Sequence, residues 1–310
     1  MSVTLSLVIP AYNESERLRV GYERLAPALA QLGPSNVEVI VVDDGSSDHT
    51  LQSAHEIYGH LEHALFVQQP KNFGKGAAMR LGMALARGRN VVTLDADMAI
   101  DPRHLFDVVT ALETSALVPG SRAVNGHINY DKRLRTLAGD AFHLLVRHYT
   151  GTTLRDTQCG FKGFQLGAAR VLALLAMVDG FAFDVEALYL ADQLGLSVQP
   201  LHVSWKDVGG SSVHPGHVAW TMVRDIRSFK STRYENPVVE LAPSVTSSEV
   251  DALAREARTQ GLVLARGTEN TLLVLGRNDA LAGLGIAATL KGTLRTAQLG
   301  ELRGRLFEAV

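Results

Sequence analysis

Four short runs of aliphatic and β-branched residues, Leu5–Ile9, Val37–Val42, Ala64–Val67 and Val91–Leu94, recur through the first hundred residues. Helical patterns separate them. Strands that are apolar almost throughout, rather than alternately, belong in a parallel sheet covered on both faces. The expected fold class is therefore α/β, a Rossmann-like, mostly parallel sheet flanked by helices. In such sheets ligands sit at the carboxyl ends of the strands. The distinctive residues lie there: Pro10-Ala11-Tyr12-Asn13-Glu14 after the first run and Asp43-Asp44-Gly45-Ser46-Ser47-Asp48 after the second. Asn72-Phe73-Gly74-Lys75-Gly76 follows the third and Asp95-Ala96-Asp97 the fourth. Four strand ends converge on one mouth.

Asp95 and Asp97 carry the sharpest chemistry. Side chains two apart on an extended segment share a face. Two like charges buried together need a cation or another partner. Such a pair can hold one divalent metal, Mg²⁺ or Mn²⁺, that bridges the oxygens of a diphosphate. The alternative is a turn or helix cap, but Asp101-Pro102 already supplies a start for the next helix. Asp44 is expected to accept hydrogen bonds from a base or ribose, the helix cap belonging to Ser47 or Asp48. The Asn72–Gly76 stretch reads either as an anion cradle opening a helix, with Lys75 and then Arg80 facing phosphates, or as an ordinary glycine turn. It is no P-loop, because the glycine spacing and the Lys-Ser/Thr pair are absent.

Composition narrows the partners. A net charge of -2 with scattered basic residues gives no footprint for nucleic acid. Cys159 is the sole cysteine, so no intrachain disulfide forms and a cytoplasmic location is expected. No basic-then-apolar leader opens the chain. Its longest apolar stretches, such as Val171–Val178, fall short of the ~18 residues of a membrane span.

Past Ala116 the pattern changes. Leu117–Arg122 reads as a short strand and turn, 132–149 as an amphipathic helix with Leu134, Leu137, Ala141, Leu144 and Leu145 on one face, and 167–175 and 184–194 as helices. Ser197–Trp205 reads as a strand, Gly209–Gly216 as a loop, and His217–Lys230 as a helix. Asn236-Pro237 marks a boundary, giving residues 1–235 as the catalytic domain and 236–310 as a small α/β module for packing, dimerisation or acceptor contacts. In that module strands are expected at Val238–Leu241, Leu262–Ala265 and Thr271–Leu275. Helices are expected at Ser247–Thr259, behind the capping-box spacing of Thr246 and Glu249, and at the end of the chain.

The motifs Val8–Glu14, Val41–Asp48, Asn72–Gly76 and Asp95–Asp97, in this order, resemble family 2 glycosyltransferases of the GT-A fold. Asp156-Thr157-Gln158-Cys159-Gly160-Phe161-Lys162 and Phe183-Asp184-Val185-Glu186 look like its polyprenyl-phosphate branch. The resemblance covers residues 4 to about 230 and implies roles by position. Pro10, Tyr12, Glu14 and Asp44 would line the nucleotide pocket, Lys75 would hold the donor, and Asp95 and Asp97 would reach metal and diphosphate. Gln158 and Lys162 would stand near the acceptor. The implied reaction is an inverting transfer of a hexose-type sugar from a nucleotide-sugar, UDP by default. An acceptor phosphate needs no base, whereas an alcohol or thiol needs a carboxylate. Asp184 is the candidate, with Glu186 second, although Asp184 also suits a helix N-cap. His214 is a candidate metal ligand, with His217 beside it, and both also read as surface histidines.

Relatives in that branch carry membrane anchors that this chain does not show. The acceptor is accordingly left between a polyprenyl phosphate, met peripherally at the inner membrane face, and a soluble small molecule. Two other functions compete: a sugar-phosphate nucleotidyltransferase and a non-catalytic nucleotide-sugar binder. Pro10–Asn13 stands where the first would carry a glycine-rich loop, and the intact acids argue against the second.

Overall fold

The structure, a computed structural model, describes residues 3–123, 133–206 and 215–231, and beyond them 235–240, 246, 248–249, 263–266, 271–275, 293–298 and 308–309. Seven strands form the main sheet: β1 (Leu5–Ala11), β2 (Val37–Asp43), β3 (Ala64–Gln68), β4 (Asn90–Thr93), β5 (Leu117–Ser121), β6 (Lys162–Gln165) and β7 (Leu201–His202). Their order is β3-β2-β1-β4-β6-β5-β7. The strands β1 to β4 pair in parallel, β6 runs antiparallel to both its neighbours, and β7 lies parallel to β5. The helices are α1 (Ser15–Leu32), α2 (Thr50–Tyr58), α3 (Lys75–Leu85), α4 (His104–Ala111), α5 (Arg133–Thr150), α6 (Leu166–Leu175), α7 (Phe183–Leu194) and α8 (Pro215–Ser231).

Both faces of the sheet are covered, as the continuous apolar strands require. Leu7 and Ile9 of β1, with Val39 and Val41 of β2, pack against Leu18 and Leu25 of α1, Ala54 of α2 and Leu105 of α4. The alternate residues Val8, Ile40 and Val42 face Met79 and Met83 of α3, Leu172 of α6 and Leu188 of α7. Each buried Val, Leu, Ile or Met among them contributes roughly 1.5–3 kcal/mol. A slip of one residue would exchange the two faces, so the register is held. That register aligns the strand ends, because Ala11 pairs with Asp43 and Val8 with Thr93.

The four early strands fall where the apolar runs predict. Three expectations need correction. The reversed strand β6 has no counterpart in the sequence reading; its run is only four residues and sits inside a motif read for its chemistry. The strand expected over Ser197–Trp205 is reduced to Leu201–His202, with isolated bridges at Val198 and Trp205. Pro200 precedes it, and proline cannot donate to a ladder. Leu144, placed on the apolar face of α5, is exposed.

Five further strands, β8 (Glu235–Glu240), β9 (Val263–Arg266), β10 (Thr271–Leu275), β11 (Thr293–Gln298) and β12 (Glu308–Ala309), form a second, antiparallel sheet. The first three match expectation. At the chain end, where a helix is expected, the described residues are the strands β11 and β12; Thr293 and Thr296 are β-branched and suit a pleated surface. Thr246 and Glu249 form the reciprocal capping box: Thr246 N donates to Glu249 Oε2 at 2.8 Å and Glu249 N to Thr246 Oγ1 at 3.4 Å. The helix expected behind it lies outside the described residues. Among the described residues no helix is long and apolar enough to cross a membrane.

Candidate active site

At the carboxyl edge of β1, β2 and β4 lies a cavity of about 460 Å³. That volume suits a small-molecule ligand. Pro10, Tyr12, Glu14, Asp44, Lys75, Asp95 and Asp97 all line it. The aligned strand ends explain the convergence: Asp44 N donates to Ala11 O and Leu94 N to Val8 O, so the segments that follow open side by side. Arg17 and Phe181, which the sequence reading passed over, complete the wall.

Three acids of this cavity, Glu14, Asp95 and Asp97, are paired with basic side chains. Lys75 Nζ lies 2.7 Å from Asp95 Oδ1 and 4.0 Å from Asp184 Oδ2. Lys162, fully buried, donates to Asp184 Oδ1 at 2.6 Å and to Cys159 O at 2.5 Å. Charges therefore alternate along Asp95, Lys75, Asp184 and Lys162. Burial would raise the Asp95 carboxyl, but Lys75, with Arg122 and Lys162 beyond, holds it below the usual carboxylate range. Burial would likewise lower the Lys75 ammonium; Asp95 and Asp184 reverse that and raise it. On the other side Arg17 donates to Asp97 Oδ2 and, at 2.8 Å, to Glu14 Oε1. Burial raises the Glu14 carboxyl, Arg17 draws it back, and Asp97 and Asp95 push it up again.

Asp44, in the cavity wall, also holds a loop. Its two oxygens accept Phe73 N–H and Gly74 N–H, each at 2.8 Å, fixing the Asn72–Gly76 loop. Burial raises its carboxyl against the pull of those two donors. Asp43 faces away, accepting from Ser46 N at 3.0 Å and Gln68 Nε2 at 3.0 Å. The expected cap at Ser47 or Asp48 is corrected: the N-cap of α2 is His49, which makes no side-chain cap bond, and Asp48 just before it accepts Thr50 N–H at 2.9 Å.

The glycines of the Asn72–Gly76 loop approach protein backbone. Gly74 has φ +114°, and a Cβ at Gly76 would lie 2.6 Å from Val178 O and 2.7 Å from Phe183 Cβ. Only glycine fits between this loop and the 176–181 segment. Ala77 N also donates to Asp179 O at 3.1 Å. Arg80 belongs to that contact: it donates to Ala176 O and pairs with Asp179. It does not line the cavity, which corrects its expected place at the phosphates. Glu186 is fully buried and accepts Met177 N–H at 3.0 Å and Val178 N–H at 2.8 Å, so it holds the same segment. Neither Asp184 nor Glu186 lines the cavity. Asp184 sits in the first turn of α7 without capping it, because its carboxylate goes to Lys162.

Of the residues expected near the acceptor, Gln158 donates to Met222 Sδ of α8 at 3.1 Å. Arg122 grips Asp156 through Nε at 2.7 Å and Nη2 at 2.9 Å, and lies 5.8 Å over the Trp205 ring. Burial would raise the Asp156 carboxyl, and Arg122 holds it below its usual range. Cys159 is buried, which pushes its thiol up to about 11 and suits packing rather than nucleophilic work. Gly160 was also missed: a Cβ there would lie 2.6 Å from Asp95 Cγ, so the absence of a side chain is what lets the carboxylate sit where it does. The long-range pairings of Arg17, Arg122 and Gly160 leave no short motif. Only the lone glycine inside Asp156–Lys162 hints at a close approach.

Among the described residues no cluster of three or more His, Cys, Asp or Glu is arranged to hold a metal. His214 and His217 were considered as ligands; His214 lies outside the described residues, and the side chain of His217 is not described. Of the expected ligands, the two carboxylates left to consider are Asp95 and Asp97. Mg²⁺ and Mn²⁺ are commonly held by one or two carboxylates plus substrate phosphates, so this set fits such an ion. Glu14 Oε2, buried beside it with no hydrogen-bond partner, marks room for a further polar contact.

The glycosyl transferase family 2 model matches residues 6–172. A dolichyl-phosphate beta-glucosyltransferase of Drosophila melanogaster is 38% identical over 241 residues, 73% of this chain and 74% of that protein. One from Homo sapiens is 35% identical over 238 residues, 72% and 73% of the two chains. The crystal structure of glucosyl-3-phosphoglycerate synthase from Mycobacterium tuberculosis superposes with a TM-score of 0.53 at 23% identity, covering 73% of this chain and 79% of that one. At that identity the likeness shows the GT-A fold.

Proposed function

The chain belongs to glycosyl transferase family 2, and on that premise we propose a metal-dependent, inverting transfer of a hexose-type sugar from a UDP-sugar to a polyprenyl phosphate. The observation that carries this reading is the single cavity in which Pro10, Tyr12, Glu14, Asp44, Lys75, Asp95 and Asp97 meet. The relatives named for dolichyl phosphate support a glucosyl donor and a lipid-phosphate acceptor. Peripheral membrane contact follows from that acceptor. Residues 236–310 are assigned to a separate small module, supported by their own antiparallel sheet.

Asp95 and Asp97 would hold Mg²⁺ or Mn²⁺, which when bound neutralises charge growing on the departing diphosphate. Tyr12 and the Asp44-fixed loop shape the nucleotide end, and Lys75 supplies a positive charge at the diphosphate. The acceptor oxygen attacks the anomeric carbon from the face opposite the leaving group. Asp184 supports a phosphate acceptor over an alcohol. Its Oδ1 is occupied by Lys162, and burial keeps an alcohol from reaching it. An ionised phosphate requires no base. Asp184 is assigned the role of counter-ion to Lys75 and Lys162.

Thermal shift with a panel of nucleotide sugars, with and without Mn²⁺, tests this directly. A UDP-sugar should raise Tm only with the metal, and Asp97→Ala should abolish the rise. Equal stabilisation in EDTA would overturn the metal site. Glucose transfer to a short-chain polyprenyl phosphate, absent with the matching alcohol, tests the acceptor.

A further inference from the structure

Both acids assigned to the cation already hold a basic side chain on one carboxylate oxygen. Arg17, in the first turn of α1, forks between Asp97 and Glu14, and Lys75 lies 2.7 Å from Asp95. Arg24 adds a weaker contact, Nη1 to Asp97 O at 3.4 Å. Three acids, Glu14, Asp95 and Asp97, thus face three basic side chains, Arg17, Lys75 and Arg24, so their charge is already balanced. Asp97 Oδ1 also accepts Ala99 N–H at 3.0 Å, so a free divalent ion would meet acids whose oxygens are largely engaged and would be opposed by the charges of Arg17 and Lys75. Arg17 Nε and Glu14 Oε2 are buried without hydrogen-bond partners, so this arrangement leaves polar capacity for an arriving group.

Resting on the reading of a metal-dependent donor site, we propose that Arg17 and Lys75 act as resident counter-cations that hold off a free divalent ion. The metal is then taken up with the nucleotide diphosphate rather than ahead of it. The diphosphate brings the negative charge that offers Lys75 and Arg17 another partner and frees carboxylate oxygens for the metal. Arg17 is on this account a positioning residue, one that sets the order of binding. Linkage makes the effect reciprocal: Mn²⁺ must raise UDP affinity by the factor by which UDP raises Mn²⁺ affinity.

The test is Mn²⁺ binding to the full chain, followed by electron paramagnetic resonance of free Mn²⁺, with and without UDP. Wild type should bind Mn²⁺ alone weakly and at least about tenfold more tightly with UDP. Arg17→Met should bind Mn²⁺ alone at least about tenfold more tightly than wild type, with a smaller UDP effect. Arg17→Lys, which keeps the charge, should stay near wild type, and Lys75→Met provides the same test if Arg17→Met does not fold. Wild type that binds Mn²⁺ as tightly alone as with UDP, or an Arg17→Met that binds it no better than wild type, overturns the inference. Wild type that takes up neither Mn²⁺ nor UDP in any combination overturns the donor-site reading itself.

Discussion

Lys162→Met is the perturbation that most directly probes the charge chain behind the cavity. It removes a fully buried ammonium 2.6 Å from Asp184 Oδ1 and leaves Asp184, itself buried, with Lys75 at 4.0 Å as its basic partner among the described residues. A unit pair at 4 Å gains about 4 kcal/mol at an effective dielectric of 20, and the closer pair gains more. Desolvation of both groups offsets most of that gain in the intact protein, so the pair itself adds little net stability. Removing one partner is different, because it strands a buried charge, at a cost of about 3–5 kcal/mol. With a urea m-value of about 3 kcal/mol/M, a loss of about 4 kcal/mol lowers the unfolding midpoint by roughly 1.3 M. Adding Asp184→Leu removes the stranded acid. The double variant should recover to within about 0.3 M of wild type, a coupling of at least about 2 kcal/mol. Urea melts followed by circular dichroism on the two single variants and the double one give the cycle. Additive losses, or a Lys162→Met midpoint within 0.3 M of wild type, would refute the assignment of Lys162 and Asp184 as a buried, mutually dependent pair.

Gly160→Ala should lower kcat/KM roughly a hundredfold by shifting the Asp95 carboxylate, with far-UV circular dichroism unchanged; wild-type turnover would show that the carboxylate position is not critical. Asp156→Asn should cost about 3 kcal/mol at pH 7, or roughly 6–12 °C in Tm. Because the folded Asp156 carboxyl sits below its unfolded value near 3.9, its contribution is complete well above pH 4 and is lost as pH falls through the folded pKa. The Tm gap between Asp156→Asn and wild type should therefore narrow below about pH 4, and a gap independent of pH would contradict the ion pair. Asp44→Asn turns an amide donor towards either Phe73 N–H or Gly74 N–H, leaving it unpaired at about 1–3 kcal/mol. Its urea midpoint and its UDP affinity by calorimetry should both fall, and a variant unchanged in both would remove Asp44 from the loop-fixing role.

Much of the architecture was legible because it rests on local pattern. The apolar runs of β1 to β4 could satisfy their faces only in a covered parallel sheet, and their ends carried residues that a core would not tolerate unpaired. Pro10, Tyr12, Glu14, Asp44, Lys75, Asp95 and Asp97 were therefore readable one by one, since each lies at or past a strand end, whereas Arg17 on α1 and Phe181 after α6 were not. What was not legible depends on pairings distant in sequence. Arg80 and Glu186 read as functional by proximity to motifs, yet both hold the 176–181 segment, a contact between α3 and α7 that no local periodicity encodes. Lys162 read as a residue near the acceptor. Its burial follows from Asp184, 22 residues later, which supplies the charge that makes burial tolerable. The strand β6 was hidden for the same reason, since it is defined by antiparallel pairing to β4 and β5 rather than by its own four residues.

The loop held by Arg80 and Glu186 connects these findings. Asp44 fixes the Asn72–Gly76 loop from one side, and the 176–181 segment fixes it from the other through Gly74, Gly76 and Ala77. Lys75 is thereby presented from a backbone clamped at both ends, and its ammonium reaches Asp95 and Asp184 from one position. A long flexible lysine would otherwise lose up to about 2 kcal/mol of rotamer entropy on being ordered. The buried acids Asp44 and Glu186 act on backbone N–H groups, and Asp184 acts on the lysine itself. Acids that a motif scan assigns to substrate thus hold a single cation in register with the acids that face the cavity.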